Sequence, residues 1–468
     1  MDFKDLLANG QAVGRYGGLV VFVTGPLPGE RALVRISAVK AKYAVGELIE
    51  VLTVSPHRVE SFCKIFGVCG GCQVQHLAYP AQLAWKRDLV RAALARIGGI
   101  DVAVNPPIGM REPRAYRNKI SLVIEHRDGR AELGFYRARS HRLVPVDGCP
   151  VALPQLDASI GGLAASIDDT STSGAFSEVR HAVMRAGAAT GESVLALTTR
   201  HRSERVQASG DAIARRLPGV VGVGNSYELT NDNAVLGRRL TTIWGRAEME
   251  ERIGPVRFRV SPASFFQVNG EMVGRIFDYM APVLGSLRVV DLYCGAGTFS
   301  MFFAHGGARV VGIEENPNAV REALANAELN GVGDRATFLA GRVEQLLRGG
   351  AGREALMTAD IVFLDPPRKG SDESTLAAIA ALRPPNVWYL SCNPATLARD
   401  IAQLIRGGYL VGIVQPFDMF PQTGHVETLV TMYLDPATAI APPPAAGGEA
   451  VPPWTPNGDL DPLLAATP

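Results

Sequence analysis

Residue 286 marks a change of period in this chain. After it, short apolar runs alternate with stretches of helical spacing. The runs fall at 288–293, 309–314, 336–340, 360–365, 386–391, 409–415 and 428–434. Such alternation predicts an α/β fold with a doubly wound, mostly parallel sheet, because parallel strands need crossover helices that cover both faces. Ligands in these sheets bind outside the carboxyl ends of the strands. Those ends are therefore where chemistry is to be sought.

Four strand ends carry it. The first run leads into Cys294-Gly295-Ala296-Gly297-Thr298. Glycines there let the backbone approach a nucleotide closely. Glu314 ends the second run, 23 residues after Asp291, where a carboxylate can accept both ribose hydroxyls. The third glycine of the dinucleotide fingerprint is replaced by Ser300, which favours a methyl donor over NAD. Asp365-Pro366-Pro367-Arg368 ends the fourth run, and its two prolines fix a rigid turn. Asp first and Arg last, in place of Asn first and an aromatic last, argue against methylation of an exocyclic amine. Cys392 ends the fifth run, just before a helical pattern near Ala395. A thiolate is a competent nucleophile, and a helix N-terminus lowers a thiol's pKa. Together these ends predict a site for S-adenosyl-L-methionine with a thiol beside it. The combination suits methylation of a carbon too poor a nucleophile to react unaided, such as C5 of uracil. Thiolate addition at C6 makes C5 enolate-like, and a base must then remove the C5 proton. Glu427, entering the last run, is the candidate base, with His425 as the alternative. Cys294 reads as a packing residue.

The rest of the chain bounds the class. Its 468 residues suffice for about three domains, and its composition is globular, at 47% hydrophobic and 20% charged. No apolar run reaches the ~18 residues of a membrane span. No signal sequence is legible at the N-terminus, so a cytoplasmic protein is expected. The net charge of +1 hides an asymmetry: residues 1–150 carry 21 Lys and Arg against 13 Asp and Glu. A basic front half fits a polyanionic partner. Within it, 111–142 interleaves Arg117, Lys119, Arg137 and Arg139 with Tyr116, Phe135 and Tyr136. Short runs at 19–23, 32–36 and 48–52, separated by Gly and Pro, predict a small OB-like β-barrel over 1–56. A helix is expected over 79–97, stopped by Gly98-Gly99 and able to pack on the catalytic unit. The middle unit, 57–255, reads as sheet-rich; 256–435 is the catalytic unit, and the Pro- and Ala-rich 436–468 a disordered tail. Of six cysteines, Cys63, Cys69, Cys72 and Cys149 form a four-thiol set. That set suits a 4Fe–4S cluster or a structural zinc, and the wide first gap with Gly70-Gly71 favours the cluster.

At these residues the chain resembles the RNA 5-methyluridine methyltransferase family, in its iron–sulfur ribosomal-RNA branch. The resemblance runs to about residue 434. It rests on the four cysteines, Ser264-Phe265-Phe266-Gln267-Val268-Asn269, Asp291-Leu292-Tyr293-Cys294-Gly295, Asp365-Pro366-Pro367-Arg368, Ser391-Cys392-Asn393-Pro394 and Pro421-Gln422-Thr423-Gly424-His425-Val426-Glu427. It implies a class I methyltransferase fold behind a TRAM barrel. It also implies that Gln267, Tyr293, Thr298, Glu314 and Asp365 meet S-adenosyl-L-methionine, with Cys392 as nucleophile and Glu427 as base. Thr298 stands where Asn is frequent, and Arg342 where a polar residue often meets the adenine. The implied substrate is 23S ribosomal RNA, with no membrane and no obligate protein partner. Other readings are uracil methylation in tRNA, cytosine methylation, a non-catalytic RNA-binding or assembly factor and, last, a Rossmann oxidoreductase.

Overall fold

The computed structural model describes residues 1–127, 130–231 and 234–442. Three large sheets and a two-stranded hairpin are strung along it.

The first is a five-stranded barrel of Phe3–Leu6, Gln11–Tyr16, Leu19–Thr24, Arg31–Val39 and Tyr43–Thr53. The third and fifth strands pair in parallel, and the spatial order is first, second, third, fifth, fourth. Phe3 N to Glu30 O and Ala32 N to Met1 O, each 2.9 Å, join the first strand to the fourth and close the ring, as in an OB-like barrel. The last two strands run well beyond the expected 32–36 and 48–52. Gly46, which reads as a break, lies inside a strand, where a Cβ would come within 2.4 Å of Val34 Cγ1. It permits close strand approach and makes no turn.

The middle unit is a seven-stranded sheet, with Val179–Ala186 between Ser193–Thr199 and Lys119–Arg127. The sheet-rich reading does not include the helices that cover this sheet. Helices Pro154–Asp168 and Glu204–Ala214 cover one face, burying Leu156, Ile160, Leu163, Val206 and Ile213 against Leu122, Ile124 and Leu197. The expected division at 255/256 also fails. It would cut a hairpin, Met249–Ile253 with Val256–Val260, whose inward side chains belong to the catalytic core.

The third sheet has seven strands: Arg288–Leu292, Arg309–Glu314, Ala336–Ala340, Ile361–Leu364, Asn386–Ser391, Leu410–Phe417 and Glu427–Tyr433. In chain order they lie third, second, first, fourth, fifth, seventh, sixth. The seventh is antiparallel to both neighbours, and the other pairings are parallel. The reversal between the first and fourth strands opens the crevice where ligands bind. Residues 436–442 are not a free tail. Trp388 Nε1 donates to Ile440 O (2.9 Å), and Asn386 Oδ1 accepts from Ile440 N (2.8 Å), because these buried groups need partners. The remainder of the expected tail, 443–468, lies outside the described residues.

Helix Tyr79–Ala93 continues through a π turn, Leu94–Gly98, to Gly99 at φ 63°. Val90 and Leu94 join Leu397, Ala398 and Ile401 of helix Pro394–Arg406 in one core. The same helix delivers Lys86 to Asp418 (Nζ–Oδ1 2.5 Å), both side chains fully buried. Removing one partner strands the other charge in the interior, which typically costs about 3–5 kcal/mol. Asp418→Ala should therefore lower the thermal unfolding midpoint sharply. The double variant Lys86→Met, Asp418→Leu should recover most of it. No helix among the described residues is long and apolar enough to cross a membrane.

Candidate active site

The carboxyl ends of the catalytic strands open into a cleft of about 1460 Å³, walled on its far side by the middle unit. Gln267, Tyr293, Glu314, Asp365, Cys392 and Glu427 all line it. Thr298 lines a small adjoining recess under the glycine turn, with Asp291 and Phe299.

The turn is built for close approach. Tyr293, Gly295 and Gly297 have φ of 66°, 55° and 81°. Positive φ is routine for glycine and uncommon for tyrosine, so Tyr293 is held there by its neighbours. Its hydroxyl meets Ser371 Oγ at 2.9 Å, and its N–H donates to Ile313 O at 2.9 Å. Glu314 Oε2 accepts from Gly295 N (3.1 Å) and Oε1 from Asn316 N (2.8 Å), which fixes the carboxylate at the mouth of the turn. Across the cleft, Gln267 Nε2 donates to Asp365 Oδ2 at 3.2 Å.

The electrostatics are lopsided. Burial pushes Asp365 up to about 7, against the hydrogen bond from Gln267. Burial also pushes Asp291 up to about 7; the Ser300 hydroxyl opposes this, and Asp365 and Glu314 add to it. Glu427 is raised well above the carboxylate range by burial and then by Asp365, with Arg368 pulling the other way. Its Oε1 is buried without a hydrogen-bond partner. The carboxyl groups of Asp291, Glu314, Asp365 and Glu427 thus converge on the cleft and its recess, with Arg368 the cation beside Glu427. That donor set fits a cationic ligand, and S-adenosyl-L-methionine has a sulfonium and an ammonium to offer.

Cys392 follows strand Asn386–Ser391, and Asn393 caps the next helix by accepting from Ala395 N (3.1 Å). Asn393 Nδ2 donates to Arg368 O (2.9 Å) and Thr396 Oγ1 to the same carbonyl (3.3 Å). The nucleophile's turn and the Asp-Pro-Pro-Arg turn are therefore one unit. The expected lowering of the thiol pKa is not found. Burial pushes Cys392 up to about 12, with Glu427 and Asp365 adding to it and only Arg368 among the side chains opposing. Desolvation and two nearby carboxyls outweigh the helix terminus.

His425, the alternative base, is pushed down to about 4 by burial and then by Arg368, whose Nη2 lies 3.4 Å from its Nε2. It does not line the cleft. Cys294 is 8% exposed in the core under Gly312, as a packing residue should be. Arg342 lines the cleft and pairs with Glu344 at 2.5 Å. Three residues escaped the sequence reading. Asp291 was used only as a ruler. Arg368 is the cation that faces both Cys392 and Glu427. Phe265 is 72% exposed on the cleft wall while Phe266 is buried, a difference the Phe-Phe doublet does not display in sequence.

The four other cysteines lie outside the cleft lining, all as free thiols. No compact group of three metal-ligating side chains occurs among the described residues. They nonetheless face one another: burial pushes Cys72 up to about 12, and Cys149, Cys69 and Cys63 add to it. Arg137 bridges to Cys69 through the backbone, and Arg139 Nη2 reaches Thr24 Oγ1 at 3.4 Å. These two arginines thus sit by the cysteine loop and the barrel, whereas Arg117 lines the cleft.

A family model described as tRNA (uracil-5-)-methyltransferase matches residues 248–434, and a TRAM-domain model matches 2–49. An uncharacterized RNA methyltransferase of Halalkalibacterium halodurans is 37% identical over 445 residues, covering 92% of this chain and 96% of the relative. Another, from Thermosynechococcus vestitus, is 38% identical over 438 residues, covering 91% and 95%. The crystal structure of Pyrococcus abyssi tRNA (uracil-54, C5)-methyltransferase in complex with S-adenosyl-L-homocysteine superposes with a TM-score of 0.73 at 26% identity, covering 92% of this chain and 99% of that one. With a glycine turn, a strand-end thiol and buried carboxyls in one cleft, and with relatives of this length and likeness, the chain belongs to the RNA uracil-5-methyltransferase family, with an N-terminal TRAM domain.

Proposed function

We propose that this enzyme methylates C5 of a uridine in 23S ribosomal RNA through a covalent bond between Cys392 Sγ and C6 of the ring. The observation that carries the reaction is the shared cleft of Cys392 and Glu427, with the unpartnered Oε1 of Glu427 buried beside it. S-Adenosyl-L-methionine, held by Gln267, Tyr293, Thr298, Glu314 and Asp365, supplies an electrophilic methyl group. The thiol loses its proton to solvent, and the thiolate sulfur adds to C6, moving the C5–C6 π electrons onto C5 and the adjoining carbonyl. The C5 carbon so activated takes the methyl group, and S-adenosyl-L-homocysteine leaves. Glu427 removes the C5 proton, the C5–C6 double bond re-forms, and the sulfur departs as thiolate.

The target uridine must be unstacked to reach the cleft, at a cost of a few kcal/mol that backbone contacts offset. Arg117, which lines the cleft, and Lys119, two residues on, are the proposed phosphate contacts. Lys119 lies directly across from Arg185 on the neighbouring strand; its carbonyl accepts from Arg117 Nε at 3.0 Å, and its ammonium has no ion pair among the described residues. Burial and then the two arginines push it down to about 8. Two cations opposed across a ladder destabilise each other unless an anion joins them. Lys119→Gln should weaken RNA binding and flatten the slope of log affinity against log salt by about 0.7–0.9.

We assign Cys63, Cys69, Cys72 and Cys149 to a 4Fe–4S cluster that braces the middle unit and its RNA surface. Methyl transfer by thiol addition requires no electron from it. An all-thiol donor set, drawn together from two distant segments, supports the assignment. Unpaired thiols also accord with a cytoplasmic enzyme. Cys69→Ser should lose iron, thermal stability and RNA affinity together. An iron-free protein with full activity would refute the bracing role.

Ribosomal RNA as substrate rests on the resemblance of the barrel and four-cysteine set to that branch. A second reading, tRNA, is favoured by the name of the solved relative, which covers 92% of this chain, so the architecture alone does not separate the two. Incubation with unmodified ribosomal RNA and, in parallel, unmodified tRNA, followed by nucleoside mass spectrometry, decides. 5-Methyluridine in tRNA alone overturns the ribosomal reading and leaves the chemistry standing.

A further inference from the structure

We propose that Gln422 is a positioning residue for the base: it ties the loop that delivers Glu427 to the segment following Cys72. The proposal rests on the assignment of Glu427 as base. The loop spans 418–426, between strands Leu410–Phe417 and Glu427–Tyr433, and has no regular structure of its own. Gln422 stands at its middle with φ 68°, a backbone conformation uncommon for a side chain of its kind. Such a conformation persists only where the surroundings over-determine it.

They do so at every polar group of the residue. Gln422 N donates to Gln82 Oε1 (3.0 Å), and Gln82 Nε2 donates back to Gln422 Oε1 (2.9 Å). The Gln82 amide therefore brackets both the backbone N–H and the side chain of Gln422, and both residues are buried. Gln422 O accepts from Gln73 N (3.0 Å) and Val74 N (3.1 Å), immediately after Cys72. Gln422 Nε2 donates to Pro113 O (3.2 Å). Gln82 Nε2 also reaches Val74 O (3.1 Å) and Leu77 O (2.8 Å), so one amide gathers both sides. The backbone of Glu427 pairs with Phe417 at the start of its strand, but its side-chain Oε1 lacks any partner. Its aim is set where the loop hands over to the strand. Gln422 joins that loop to the cysteine segment directly through its carbonyl and, by way of the Gln82 amide, through its side chain.

A base set by its loop should fail at one step. Proton removal from C5 follows covalent capture of the RNA, so a mis-aimed Glu427 leaves capture intact and slows release. The test is a single-turnover experiment with substrate RNA and S-adenosyl-L-methionine. Adduct formation is read on denaturing gels and release by nucleoside analysis, with RNA and cofactor affinities measured alongside. Gln422→Gly removes the side chain and accepts φ 68° without strain; Gln82→Ala removes the partner amide. Each should slow release about tenfold or more and accumulate adduct, with formation rate and both affinities near wild type. Glu427→Gln runs as the reference. Adduct in the reference together with wild-type release in both variants overturns the positioning role alone. Loss of RNA and cofactor affinity along with adduct formation also overturns it, since the pair would then only support the fold. No adduct in the reference overturns the base assignment beneath it.

Discussion

Cys392→Ala enzyme is expected to bind RNA and S-adenosyl-L-methionine like the wild type and to form no 5-methyluridine, a loss of roughly 10⁴-fold or more. The size follows from the chemistry. Without addition at C6, C5 of uracil has no electron density to offer a methyl group, so the enzyme loses the step that makes the carbon reactive. No neighbour can substitute. Ser391 is buried, with its Oγ accepting from Asn393 N at 3.2 Å. Cys294 sits in the core beneath the glycine turn, its pKa raised well above the ordinary thiol value by burial. Nucleoside mass spectrometry measures the product, and a denaturing gel measures the covalent RNA–protein species. Undiminished product from the alanine variant would mean methylation without an adduct and would end the proposed mechanism.

The site was legible because its residues sit at strand ends. A strand–helix alternation places the carboxyl end of every parallel strand on one edge, which brings Asp365 and Cys392 together; Glu427 reaches the same edge from the amino end of the antiparallel last strand. Local signals sufficed for that: two prolines, a glycine turn, and a thiol followed by Asn-Pro. Other features depend on neighbours that sequence does not reveal. The helix at Pro154–Asp168 went unseen although Leu156, Ile160, Leu163 and Ile167 recur at helical spacing, because glycine and serine between them dilute the pattern. The hairpin at 249–260 was divided because nothing local says which core Met249 and Val260 enter. The thiol's pKa was misjudged for a related reason. A helix N-terminus can be read from Asn393-Pro394, whereas the desolvation of Cys392 and the approach of two carboxyls come from elements far apart in the chain. The order of the middle sheet is likewise set by pairings between distant strands, such as Val179–Ala186 with Lys119–Arg127.

Glu427→Gln should separate two properties that a general loss of structure would move together. Turnover should fall by about 10²–10⁴-fold, the range for removing a general base, and the covalent RNA adduct should accumulate because capture precedes the lost step. Reactivity of the free thiol should move the other way. In the wild type, burial and then Glu427 hold Cys392 near 12, so only a small fraction is thiolate at neutral pH. Alkylation of that thiol should climb about tenfold for each unit of pH below its pKa, because the reactive fraction climbs so. An uncharged amide at 427 removes one of the groups that disfavour the thiolate. The variant should therefore alkylate faster than wild type wherever Glu427 is ionised, above its own raised pKa and below about 12, with its rate curve displaced toward lower pH there. The sign is the decisive point: a damaged cleft loses turnover and alters alkylation at many cysteines, whereas the charge argument demands faster alkylation at Cys392 specifically. Mass-spectrometric mapping of the alkylated cysteine against pH measures it. An unchanged or slower rate at Cys392, in a variant that still binds RNA, would show that Glu427 does not set the electrostatics of the nucleophile. The adduct measurement would then have to carry the base assignment alone.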